Sequence, residues 1–130
     1  MSNSFKVCFA LLSTFILCVA CTSKEEQKRA EAIEQGHLLI EQAREAYRQN
    51  NYDQAIALID SIRHAYPTAM NAREAGILLK DSIEIAKAEA EFQEMYAKGI
   101  TTGDDVEEVQ RRIKYFMRKL KHDQEQQRTH

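Results

Sequence analysis

The chain has 130 residues, room for one domain with one modest core. Charged residues make up 29% of it and aromatics 8%, with no Trp, four Gly and a single Pro, a balance that favours long helices over a sandwich or barrel. The formal net charge of -2 is too small to direct the whole molecule onto nucleic acid.

Residues 1–6 carry one basic side chain, Lys6, and residues 7–20 (VCFALLSTFILCVA) are an uncharged apolar run that gives way to polar sequence at Thr22. The run is shorter than the roughly 20 apolar residues that span a bilayer and matches the hydrophobic region of a secretory signal. All three cysteines, Cys8, Cys18 and Cys21, fall within this leader or at its end. The remainder therefore has no disulfide framework and no cysteine-based metal site. Small residues, Val19 and Ala20, precede Cys21 and leave the backbone there open to a peptidase.

The segment Cys18-Val19-Ala20-Cys21 resembles the lipobox of bacterial lipoproteins, with Cys18 where that family prefers Leu. The resemblance implies a signal peptide over 1–20, cleavage between Ala20 and Cys21, and acylation of Cys21. Two or three acyl chains anchor a protein firmly, where one holds it marginally. Thr22, rather than Asp, after the cysteine points within the same resemblance to the outer membrane of a Gram-negative cell. Lys24-Glu25-Glu26 is similar to the short acidic export tags of Bacteroidetes lipoproteins. A solvated tether over 21–26 explains the same residues, so the periplasmic face and the cell surface both stay open.

A first helix is expected over 25–50, where Ile33, Gly36, Ile40, Ala43 and Tyr47 recur at spacings of three and four. Gln49-Asn50-Asn51 ends it, because Asn tolerates the left-handed conformation and caps helices. A second helix follows over 52–65, with Tyr52, Ala55, Ile59, Ile62 and Tyr66 on one face, until Pro67 stops it. So short a connection forces the two helices to pack antiparallel. The run Asn51-Tyr52-Asp53-Gln54-Ala55-Ile56, then Ile59, Ile62 and Pro67, resembles the second half of a tetratricopeptide repeat; Leu39, Ala43, Ala46 and Tyr47 fit its first helix loosely. Ile62 stands where the family prefers Ala, and Ala46 where it prefers an aromatic. One repeat of about 34 residues is present, whereas such arrays need about three to bury a continuous core. Any short-looped helical hairpin gives the same pattern.

A long third helix is expected over 68–98, with Ala72, Gly76, Leu79, Ile83, Ala86 and Ala90 on one face and Gly99 as its stop. It completes a tetratricopeptide-like three-helix region over 27–98. After the turn that opens the 99–121 segment, a fourth helix begins near Asp104. Its Val106, Val109, Ile113, Phe116 and Leu120 form a two-heptad seam that is expected to zip antiparallel onto the outer half of the third helix. Residues 122–130 are expected to fray. The fold class is all-α: a tetratricopeptide-like hairpin on a long third helix, with a coiled-coil-like C-terminal hairpin.

Helix four opens on Asp104, Asp105, Glu107 and Glu108, and Arg111, Arg112, Lys114, Arg118, Lys119 and Lys121 follow. This order suits a basic amphipathic helix for anionic lipid or nucleic acid. It also complements the helix macrodipole, the reading the sequence favours because the seam already uses Phe116 and Leu120. The histidines His37, His64, His122 and His130 share no metal-ligand spacing, and Glu41/Glu45 and Glu91/Glu94 read as helix-surface charges. No phosphate-binding glycine loop or nucleophile elbow occurs. No catalytic group, metal or cofactor is expected.

The function these features imply is a lipid-anchored cell-envelope protein, attached to the membrane through Cys21, whose work is non-catalytic protein–protein contact. Its unidentified protein partner is expected in a groove of the first three helices, with Tyr47, Tyr52 and Tyr66 as aromatic anchors. Nucleic acid is not an expected partner. The alternatives are an envelope lipoprotein that self-associates into a homo-oligomer through the heptad seam, and an accessory subunit of an outer-membrane transporter.

Overall fold

The computed structural model describes the backbone of residues 2–129 and the side chains of residues 23–129. Ala20 and Cys21, the expected cleavage and lipidation residues, lie outside the described side chains. Four helices and no strand form among the described residues: α1 (Ser2–Arg48), α2 (Tyr52–Ala65), α3 (Met70–Ala97) and α4 (Asp104–Arg128).

No proline or glycine interrupts the sequence before Gly36, and α1 accordingly runs on through the segment expected as a tether. Residues 23–26 are helical and exposed. At the other end Asn50 takes φ 58, and the Asn51 N–H donates to the Ala46 carbonyl at 2.8 Å, closing the helix and reversing the chain. α2 ends at Tyr66, whose φ of -128 and ψ of 61 have left the helical region, as the residue before Pro67 must.

The core joins Ile40, Ala43 and Ala46 of α1, Ala55, Ile59 and Ile62 of α2, and Ala72 and Ile83 of α3, with Ala69 at the joint before α3. The many alanines let the axes approach closely. Gly36 takes this to its limit, because a Cβ built there would lie 2.5 Å from the Cβ of Ala69. Ile33, expected on the same buried stripe, is instead 53% exposed. The chain re-enters at the level of Gly36, where Ala69 meets it, and Ile33, almost one turn earlier, is left at the rim of the cleft beside α3.

α3 is a wall shared by two hairpins. On one side Lys80 meets Asp60 at 3.5 Å and Lys87 meets Asp53 at 3.6 Å, so α2 and α3 run antiparallel. On the other, Arg112 meets Glu91 at 2.9 Å, Lys119 meets Asp81 at 2.8 Å, and Gln127 Nε2 donates to the Glu74 carbonyl at 2.8 Å. Each step toward the start of α3 is a step toward the end of α4, which among the described residues packs on α3 alone.

Two expectations about α4 are corrected. The segment expected to fray is helical to Arg128, and α4 lies along most of α3, not only its outer half. The three-four stripe that begins at Val106 and Val109 passes Leu120 and continues as Asp123 and Gln127, polar side chains that find polar partners on their own helix and on α3. The heptad seam is also occupied within the chain, since Val106 and Val109 are only 3% and 2% exposed.

Candidate functional site

The structure brings together two of the three tyrosines singled out in the sequence. Tyr47, in the last turn of α1, and Tyr52, in the first turn of α2, meet across the hairpin turn with ring centroids 5.9 Å apart. Tyr52 also donates its hydroxyl to Asn50 Oδ1 at 3.0 Å. Tyr66 caps the opposite end of α2, about 21 Å away at the helical rise per residue. All three are half-buried against the core. A single groove lined by Tyr47, Tyr52 and Tyr66 therefore does not form: the turn joins the first two, and the length of α2 separates the third.

The concave surfaces lie elsewhere. Between α1 and the start of α3 is a cavity of about 350 Å³, floored by Ile40 and Ala72 and rimmed by Ile33, His37, Arg44 and Met70. Arg44 is held at the rim by an ion pair with Glu41. A second cavity, of about 280 Å³, lies between α2 and α3 and includes Ile59, Arg63, Met70 and Ile77. Met70 forms the ridge between the two. Ile33 and Met70 are each 53% exposed and Ile77 47%, so three large apolar side chains stand open around neighbouring clefts. Sequence reasoning passed over Met70 and Ile77. Their spacing of seven, outside the stripe from Ala72 to Ala90, was the available signal of a second apolar face on α3. Tyr52 keeps a smaller part, bordering a shallow depression with Ala86, Phe92 and Ile113.

The buried electrostatics sit away from these clefts. Asp81 is 3% exposed, and Lys119 Nζ donates to both of its carboxylate oxygens at 2.8 Å and to Asp123 Oδ2 at 2.7 Å. Burial pushes the Asp81 carboxyl above its ordinary range, outweighing the hydrogen bond and charge of Lys119. Burial also works against the Lys119 ammonium, but hydrogen bonds to Asp123 and Asp81 outweigh it and raise that pKa. The Lys119 hydrogen bond holds Asp123 below the usual carboxylate range. This cluster joins α3 to α4, and none of the three cavities reaches it.

Among the described residues no three metal-ligating side chains converge, and no helix is long and apolar enough to cross a membrane. His64 points its Nδ1 to within 2.7 Å of the Asp60 carbonyl, a contact within its own helix. No protein-family model, curated protein or solved structure matches the chain.

Proposed function

We propose that the chain is a lipid-anchored envelope protein, held at the outer membrane of a Gram-negative cell through Cys21, whose work is non-catalytic protein–protein contact. The anchor rests on the leader: an apolar run of signal length that ends at small residues and a single acceptor cysteine. The observation that carries the contact is the pair of clefts on either side of Met70, rimmed by half-exposed Ile33 and Ile77, the second bordered also by the charged Asp60, Arg63, Arg73, Glu74 and Lys80. Large apolar side chains open beside concave surface are what a partner's anchoring residues require. The contact surface thus moves from the tyrosines to the start of α3. Tyr52 remains at the edge of a separate depression.

Two readouts test the two halves independently. Membrane fractionation of Cys21→Ala should move the protein out of the membrane fraction; quantitative retention with normal processing would sink the anchor. Cross-linking in cells that carry Met70→Glu with Ile77→Glu should lower partner recovery at least about tenfold, the loss of one well-packed anchor. Undiminished recovery with helicity intact would remove the clefts from the proposal. Self-association through the heptad seam requires α4 to leave α3 first, because the seam faces α3.

A further inference from the structure

Arg111, Lys114, Arg118 and Lys121 step by three, four and three along α4, and all four are exposed. The buried Val106 and Val109 and the anchored Gln127 turn the opposite face of α4 onto α3, and no other helix touches α4 among the described residues, so this basic row looks outward. The remaining bases of 111–121 are paired: Arg112 with Glu91, and Lys119 with Asp81 and Asp123. In the outer row only Arg111 has an ion-pair partner, the exposed Glu107 at 3.7 Å; Glu125 stands one turn beyond Lys121 on the same face without pairing to it. Lys114, Arg118 and Lys121 have no ion-pair partner among the described residues.

The macrodipole does not account for the row. Its field acts within the last turn, where α4 carries Arg128, whereas Lys121 stands almost two turns earlier. Tyr115 and Met117, 54% and 55% exposed, flank the row on either side. Tyr115 is steadied by an edge-on contact with Phe116 at 5.1 Å.

We propose that this face of α4 is a peripheral contact for anionic phospholipid headgroups. The four bases form a straight convex row about 15 Å long at the helical rise, which fits an extended anionic plane and not a small enclosed anion. Tyrosine beside such a row is suited to the headgroup level, where amphipathic rings settle. The apolar seam is taken up by α3, so the contact is electrostatic and salt-sensitive and does not insert the helix. It stands whether or not Cys21 is acylated.

The test is co-sedimentation of the full chain with vesicles of phosphatidylcholine alone or with about one-third phosphatidylglycerol, at low and high salt. The leader, Lys6 included, is common to the chain and its variants, so its contribution cancels when their anionic preferences are compared. Each base near an anionic surface multiplies partitioning about fivefold, so the anionic preference of four bases at low salt should be on the order of 600-fold and should collapse in high salt. The combined Arg111→Gln, Lys114→Gln, Arg118→Gln and Lys121→Gln variant should lose that preference. The pair Lys114→Gln and Arg118→Gln, a milder change should the fourfold variant misfold, should lose about 25-fold. Equal binding to both vesicle types, or an undiminished preference in these variants with helicity intact, overturns the proposal. Binding to soluble polyglutamate with no vesicle preference also overturns it and marks an acidic protein as the partner.

Discussion

Asp81 is the one buried charged residue among those described, and Lys119 holds it from the neighbouring helix. Lys119→Met would leave that carboxylate in the α3–α4 interface with no direct cation. Breaking a fully buried pair costs about 3–5 kcal/mol; because the Lys119 side chain is 36% exposed and partly screened, the expected loss is nearer 2 kcal/mol. Asp81→Leu added to Lys119→Met should recover most of it, since a packed apolar side chain needs no counter-ion. The pH dependence has a definite sign. Burial raises the folded-state pKa of Asp81 above the ordinary aspartate value of about 3.9, so its penalty is absent well below that value, where both folded and unfolded states are protonated. The penalty grows as pH rises through the folded pKa. Thermal melts should therefore show a smaller loss for Lys119→Met in acid than at neutral pH, and an equal loss at both would refute the assignment. Nothing in the local sequence marked Asp81, which reads as one more helix-surface charge until α4 covers it.

At the scale of the element, the ends that carry strong local chemistry were legible. Asn50 in the left-handed region, the residue before Pro67 and Gly99 at φ 79 all stop helices where the sequence places the stops. The end of α4 was not legible, because apolar periodicity is blind to a stripe that changes from Leu120 to Asp123 and Gln127 without changing its spacing. Ile33 failed for the converse reason: its periodicity was correct, but it borders an open cleft beside α3 and is not covered. Truncation after Lys121 tests the C-terminal part of α4. It removes one charge-assisted hydrogen bond, from Lys119 to Asp123, and one from Gln127 to the Glu74 carbonyl. Together these contribute about 2 kcal/mol. The truncated chain should melt several degrees lower, with faster amide exchange in the facing turns of α3. An unchanged melting temperature would mean that the last turns dock without stabilising.

The whole molecule divides unevenly about α3. The α1–α2–α3 side holds its large fully buried side chains, Ile62 and Ile83, and the apolar cluster around them. The α4 side buries Val106 and Val109 and otherwise relies on half-buried apolar residues, the Asp81 cluster and an Arg112–Glu91 pair whose side chains are about 40% exposed. Such exposed pairs contribute about 0–1 kcal/mol. Since α4 has no second helix to lean on, it is expected to open as a unit before the other three helices unfold. Native-state hydrogen exchange should then give the amides of 109–120 opening free energies lower than those of 56–62 by on the order of 1–2 kcal/mol. Equal protection of both segments would show that the four helices unfold as one. The same opening links the fold to the self-association alternative, because only an α4 that has left α3 presents its seam to a second copy. Oligomers formed that way should be domain-swapped and should increase when Lys119→Met loosens α4, whereas the basic outer row needs no opening to meet a membrane.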